Sequence, residues 1–478
     1  MMSICVMPVN TTLDDLFARV RPVVGNALNH CLVAVTGGSA AALLVEYLAA
    51  CGVQRWLVMA GNEWAGALAQ KLAIRFGPAY EMEWKTSASV EGLAAADLVL
   101  VVDAPEIARA LPSTLLRLAI CTPTESQPSR GLVALPGEVC ELEEQRRAPH
   151  LPFWDWSTSA PLLARLARAL LLRGTAYGVA AWEEAWAAGL RSYSIGSLHD
   201  PTVATWGVQM PVVKEDTPIY RTPPMQQGTL LIAGLGSLGS VAAQQLAPWV
   251  KRLILVDPDR VERVNLVRQA YSHHALGQPK ATALADALSV VHPGLQCEPL
   301  VISLDNEEIV DDIIEAYGVT TALVTTGTHA DFAISRGLRC QGVAHVVGRC
   351  YPRGRFWEGI VVDGTVGPSY EEVRRRVMAG PLAAPTPEEI VAYGAVGELV
   401  GEPATAMETG WAAMWLARLM AQMMNPITLR EGWLLARLAA GATCFIGGVG
   451  VEQGDHGLAY GISVPGQVHA WSTAQIDH

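Results

Sequence analysis

The chain has 478 residues, 51% apolar and 17% charged, which excludes extended disorder and supplies cores for several units at roughly 150 residues per domain. With 34 basic against 46 acidic residues the net charge is −12, which argues against broad capture of nucleic acid or anionic membrane and for protein or small-molecule partners. The nine cysteines are scattered and never spaced C-x-x-C, so neither a disulfide framework nor a structural zinc clamp is expected.

Near the start, "TTLDDLFARVRPVV" reads as a helix carrying Arg19 and Arg21. The apolar stretch Ala40 to Ala60 is interrupted by Glu46, Gln54 and Arg55, and no basic, then apolar, secretory leader is evident; a cytoplasmic protein with free thiols is expected. The clearest feature is an internal repeat. "CLVAVTGGSAAALLVEYLAACGVQRWLVM" from Cys31 and "TLLIAGLGSLGSVAAQQLAPWVKRLILVD" from Thr229 align without a gap. Each reads as apolar strand, small-residue turn, Ala/Leu-rich helix and second apolar strand, which is a βαβ unit with parallel strands. Later apolar runs, "ADLVLVVDAP" and "TTALVTTGTH", extend the repeat to whole domains.

Between the halves, "APLLARLARALLLRG" has the apolar spacing of an amphipathic helix closed by Gly174. Further on, "YEEVRRRVM" reads as a short helix, "ETGWAAMWLARLMAQMM" as a buried one, and the glycine-rich runs after Asn425 as strands. The expected fold is α/β, with two tandem Rossmann-like domains, the first degenerate. The expected divisions are 1–130 for the first domain, 131–215 for a helical or irregular connector, 216–425 for the second domain and 426–478 for a small strand-rich region.

Gly234-Leu-Gly-Ser-Leu-Gly239 follows a strand and opens a helix. In that setting Gly234 and Gly236 let the backbone turn tightly and approach phosphate, Gly239 allows close packing, and helix-terminal N–H groups favour negative charge. Asp257 closes the second strand, where an acidic side chain bonds a ribose hydroxyl. Behind it stand Asp259, Asn265, Arg268, Gln269 and Lys280. A hydride-transferring dehydrogenase has no need of that set, whereas splitting ATP needs cations against phosphate and carboxylates for magnesium.

The string from Asp257 to Lys280 resembles the ThiF, MoeB and ubiquitin-activating superfamily signature, D-x-D-x-V-x-x-x-N-L-x-R-Q followed by G-x-x-K. The resemblance implies an ATP- and Mg2+-dependent enzyme that adenylates the C-terminal glycine of a ubiquitin-like protein and passes it to a conjugating enzyme. It implies nucleotide binding by Gly234, Gly236, Gly239, Asp257, Asp259, Asn265 and Gln269, and phosphate stabilisation by Arg268 and Lys280. Other branches adenylate a peptide or small carboxylate, and a nucleotide-responsive scaffold is the reading outside enzymes.

The sequence departs from the family twice. Thr328 or His329 stands where the family has a magnesium-contacting aspartate, leaving Asp259 or the displaced Asp331 as candidate metal ligands. No cysteine lies between Cys350 and Cys444, so the acyl acceptor is Ser369, or Cys350 with Arg349 and Arg353 beside it, or no enzyme residue at all. In the first half, the repeat sets Thr36 on Gly234, Ala41 on Gly239 and Met59 on Asp257, and keeps only Gly38 on Gly236, so that copy is not expected to bind ATP. The pairing of inactive and active copies resembles the ubiquitin-activating enzymes. It implies a pseudodimer within one chain, to whose site Arg19 or Arg21 contributes an arginine.

Overall fold

The computed structural model describes residues 16–59, 64–77, 80–122, 130–134, 156–177, 190–194, 204–208, 226–350, 356–362, 369–373, 404–424, 442–448 and 469–472. Their strands form two eight-stranded sheets. The first contains β1 (Leu32–Gly37), β2 (Arg55–Met59), β3 (Glu83–Ser87), β4 (Leu98–Val102), β5 (Arg117–Cys121), β6 (Arg130–Ala134), β7 (Leu190–Ser194) and β8 (Ala204–Val208), in the order β3-β2-β1-β4-β5-β6-β8-β7. The second contains β9 (Gln226–Ala233), β10 (Val250–Val256), β11 (Gln296–Leu300), β12 (Val319–Val324), β13 (Ala344–Cys350), β14 (Phe356–Val362), β15 (Ala442–Gly448) and β16 (His469–Ser472), in the order β11-β10-β9-β12-β13-β14-β15-β16.

In each sheet the first five strands in spatial order are parallel and the last three antiparallel. The strand order reverses between β1 and β4 and again between β9 and β12, and such a crevice is where open α/β sheets bind ligands. The expected connector contributes β7 and β8 to the edge of the first sheet. The expected C-terminal region likewise contributes β15 and β16 to the second sheet. Antiparallel extensions distant in sequence leave no periodic mark to join them to their sheet.

Helices α1 (Ala41–Ala49) and α2 (Trp64–Phe76) cross over in the first half, followed by α3 (Pro105–Ala110). The connector holds α4 (Trp156–Leu171). The second half has α5 (Gly239–Leu246), α6 (Lys280–Val291), α7 (Glu307–Tyr317), α8 (Ala330–Cys340) and α9 (Ala406–Met424). The boundaries of α7 show local sequence control: the Asn306 side chain accepts from Glu308 N at the start, and left-handed Gly318 stops the helix.

Helix α4 packs on α1 and α9, and α9 packs on α5 and β13, so one apolar core runs through both halves. Leu44 and Leu48, Leu163 and Leu170, Leu246, and Trp411 and Met420 all belong to it. Within this core Glu408 accepts ion pairs from Arg165 (3.2 Å) and Arg168 (2.9 Å), and Arg168 also donates to Thr405 Oγ1 (3.2 Å). Removing one partner of such a buried set leaves an uncompensated charge and costs about 3–5 kcal/mol.

A candidate nucleotide site at the switch point of the second sheet

The turn after β9 is built around glycine. Gly234 has φ of 86°, and a Cβ there would stand 2.7 Å from the backbone of Thr325 and Thr326, at the end of neighbouring β12. A Cβ on Gly239 would meet Gly234 O at 1.9 Å, so only glycine lets α5 approach its own turn. Gly236 has nothing within 4 Å of its would-be Cβ, so this turn presents backbone to open space.

Asp257, buried at the end of β10, holds the turn: Leu235 N donates to its Oδ2 at 2.6 Å and Asp259 N to its Oδ1 at 2.9 Å. Lys280 opens α6 and is only 7% exposed; its Nζ lies 2.7 Å from Asp259 Oδ2 and 3.9 Å from Asp257 Oδ1. The Asp259 side chain remains 66% exposed, an open carboxylate beside a buried ammonium.

A tight turn follows at Arg263–Asn265. Its start is fastened by Asn265 Oδ1 accepting from Glu262 N, and Arg268 N and Gln269 N both donate to Asn265 O. Arg268 and Gln269 are buried, and Gln269 Oε1 has no hydrogen-bond partner among the described residues. Because an amide can flip, that end can present either an acceptor or an N–H to a ligand.

Three residues that the sequence motifs do not single out also fix this site. Tyr271 donates to Leu235 O at 2.8 Å, and burial, with Asp257 and Asp259 nearby, raises its pKa well above the usual phenol value, so it remains a donor. Ser240 donates to Gly236 O at 2.6 Å, and Thr325 to Gly234 O at 2.8 Å. Only the position of Ser240, next to the third glycine, could have signalled its part.

The candidate metal ligands differ. Asp331 is fully buried, accepting from Thr326 Oγ1 at 2.6 Å through one oxygen and from Arg349 at 2.7 Å through the other. Burial raises its pKa, opposed by Arg349 and Thr326. Both oxygens are engaged in holding the loop after β12, so Asp331 does not fit a metal ligand; Asp259 has one oxygen on Lys280 and keeps an exposed side chain. Among the described residues no cluster of three or more His, Cys, Asp or Glu side chains could hold an ion.

The two candidate acyl acceptors lie on other elements. Ser369 caps a short helical turn: its N–H and hydroxyl donate to Glu372 Oε2 at 2.6 and 2.9 Å, and Glu372 N returns a bond to Ser369 Oγ at 3.2 Å. This is a capping box, foreshadowed by the S-x-x-E spacing of Ser369 and Glu372, and it gives Ser369 a carboxylate neighbour. Cys350 ends β13 and packs partly buried against the core, while Arg349 turns to Thr328 O and Asp331. Successive strand residues face opposite sides, and Arg349 is turned toward Asp331; Arg353 lies outside the described residues.

The first half reaches this site. Arg19 is half-buried, and burial lowers its pKa, opposed by the charges of Glu262 and Asp259 from the second half. Arg21 begins the helical turn Arg21–Val24; residues 1–15 lie outside the described ones.

A glycine turn at a switch point, clasped by an acidic residue from the next strand, defines a Rossmann-class nucleotide site. Residues 201–329 match the ThiF family model, and the second half of the chain carries a ThiF-family domain. Molybdopterin-synthase adenylyltransferase of Escherichia coli (strain K12) is 39% identical over 93 residues, covering 19% of this chain and 37% of that protein. SAMP-activating enzyme E1 of Haloferax volcanii is 31% identical over 148 residues, covering 30% of this chain and 54% of that protein. Among solved structures, E. coli MccB aligns with a TM-score of 0.38 and 12% identity over 52% of this chain and 65% of its own. Among the described residues no helix is long and apolar enough to cross a membrane.

Proposed function

We propose that the second half binds ATP at the Gly234–Gly239 turn and adenylates the C-terminal glycine of a ubiquitin-like protein. The observation that carries this reading is the joining of an open Gly236 backbone, the Asp257 clasp and buried Lys280 in one hydrogen-bonded unit, with Arg268 on the turn that follows. The substrate carboxylate attacks the α-phosphate, pyrophosphate leaves, and Lys280 and Arg268 neutralise the charge that develops. Positioning and charge stabilisation suffice for this step, without a side-chain nucleophile. Asp257 holds the ribose while Asn265 and Gln269 orient the phosphates. Mg2+, held through Asp259, would supply further phosphate neutralisation.

The two halves form a pseudodimer in which Arg19, near enough to Glu262 and Asp259 for their charges to oppose the lowering of its pKa, is the arginine lent by the inactive copy. Onward transfer goes to Ser369, whose Oγ attacks the acyl carbonyl and releases AMP while Glu372 accepts its proton, or to Cys350, or directly to a conjugating enzyme. The setting is cytoplasmic.

The test is ATP–pyrophosphate exchange with a glycine-terminated ubiquitin-like protein, followed by intact-mass analysis with and without a thiol reductant. Exchange that requires the ubiquitin-like protein supports the proposal. A reductant-resistant adduct lost in Ser369→Ala assigns the oxyester, and a reductant-sensitive one returns the role to Cys350. Exchange driven only by a short peptide would replace the substrate class, and ATP binding with no pyrophosphate release would replace the enzyme with a nucleotide-responsive scaffold.

A further inference from the structure

Outside the nucleotide residues, Arg75 joins the two halves at the phosphate turn. Arg75, in the last turn of α2, donates through Nε to Leu266 O at 3.0 Å and through NH2 to Gln269 O at 3.3 Å. Its third nitrogen is held by Glu46 of α1 at 2.5 Å, and Lys71 binds the other Glu46 oxygen at 2.8 Å. Burial would raise the Glu46 pKa, but Arg75 and Lys71 hold it below the usual carboxylate range, so the anchor stays charged. Beside it, left-handed Gly77 closes on His273: a Cβ at that glycine would stand 2.4 Å from His273 Nδ1.

The carbonyls Arg75 grips are not arbitrary ones. Leu266 and Gln269 bracket Arg268 on the turn that follows Arg263–Asn265. A planar guanidinium binds two such acceptors through N–H groups fixed in one plane, which sets the rotation of the turn as well as its height; an ammonium has three donors but no fixed fork.

We propose that Arg75 is a positioning residue through which the inactive half sets the place of Arg268 at the phosphate site. It touches no substrate and acts through the backbone of residues 266–269. This inference rests on the adenylation reading for its catalytic consequence, but not for its structural one.

Two readouts test it on the full chain. The first is hydrogen–deuterium exchange of the peptide spanning 263–271 without nucleotide, where the amides of Arg268 and Gln269 bond to Asn265 O. Arg75→Ala should raise exchange there at least about tenfold, and Arg75→Lys by a lesser amount. The second is pyrophosphate exchange kinetics. Displacing a catalytic group by about 1 Å can cost about 10²-fold, so Arg75→Ala should lower kcat by about 10- to 100-fold with ATP KM changed less than about threefold, and Arg75→Lys should recover part of the loss.

If the wild-type chain shows no pyrophosphate exchange while the amides still deprotect in Arg75→Ala, the adenylation reading falls and the positioning role stands. Unchanged protection in folded Arg75→Ala overturns the proposal whatever the kinetics. Deprotection with full kcat in an active enzyme overturns its catalytic part. An equal loss of kcat in Arg75→Lys, with protection retained, overturns the role assigned to the guanidinium fork.

Discussion

The two halves share one strand order, and what separates them is the filling of the crevice at the switch point. In the second half, Asp257 accepts from the turn backbone and Lys280 faces it. In the first half, the corresponding clasp is Thr36 Oγ1 against Met59 Sδ at 3.3 Å, a weak acceptor that cannot hold a ribose hydroxyl. The Trp64 indole N–H donates to Gly37 O at 3.2 Å, so the first turn carries an aromatic side chain against its backbone. Even the loop beyond is repeated. The aligned strands pair Val33 with Leu98 and Leu231 with Ala322, so Gly327 falls on Asp103. Both have positive φ, 69° and 55°, and Asp103 is the only such non-glycine residue among those described. Two halves can therefore share a backbone path while the side chains in the crevice differ, and Arg75 of the first half reaches the backbone of the second at Leu266 and Gln269.

The sharpest way to break this contrast is to remove the cations. Lys280→Ala and Arg268→Ala should each lower kcat for pyrophosphate exchange by about 10²–10³-fold. Titration calorimetry should find one ATP per chain in the wild type and in Met59→Asp. A second ATP bound by Met59→Asp would show the first crevice to be a working site one residue from rescue.

The next effect is on stability. His345 of β13 is fully buried, bonded to Ser335 Oγ at 2.7 Å and Val343 O at 2.9 Å, and burial lowers its pKa to about 4. Extending the strand register, its counterpart in the first half is the apolar Leu116. Because the folded pKa lies below that of the unfolded chain, near 6.5, the unfolded chain takes up the proton first as pH falls. Stability is complete above about pH 6.5 and declines toward pH 4 by about 3 kcal/mol. Denaturant unfolding of wild type and His345→Gln across that range should show this slope only in the wild type; the same slope in both would assign it to other groups.

Much of this was legible in the sequence because its signals are local. The strand, small-residue turn, helix and second strand repeat without a gap, with only Gly236 of the motif matched by a glycine in the first copy, and spacing alone places them in a βαβ unit. The attachment of β7, β8, β15 and β16 was not legible, since edge pairing between distant segments is set by tertiary context. Nor was Arg75, whose partner Leu266 stands 191 residues away. Asp331 was legible as a residue but not in what it does, because only the fold brings Arg349 to it and removes it from the metal candidates.

The glycines at matched positions sharpen the comparison with little disturbance to folding. Neither Gly38 nor Gly236 has anything within 4 Å of a would-be Cβ, so Ala at either position should leave the thermal midpoint within about 2 °C. Gly236→Ala puts a methyl group where phosphate must approach the backbone and should weaken ATP binding by about 100-fold, while Gly38→Ala should leave it unchanged. Equal affinities in the two variants would remove the Gly234–Gly239 turn from the nucleotide site.

The smallest expected effect decides which arginine the first half lends. Arg19 feels Glu262 and Asp259, residues that flank the triphosphate side of the proposed site, whereas Arg21 opens the next helical turn. Arg19→Ala should lower kcat by about tenfold, the scale of one partly screened charge contribution of about 1.4 kcal/mol, and Arg21→Ala by less than twofold. Rising salt should weaken wild-type activity more than that of Arg19→Ala, because only the wild type retains the charge to be screened. A loss confined to Arg21→Ala would move the lent cation to that turn, and no loss in either would leave Arg75 as the first half's route to the chemistry.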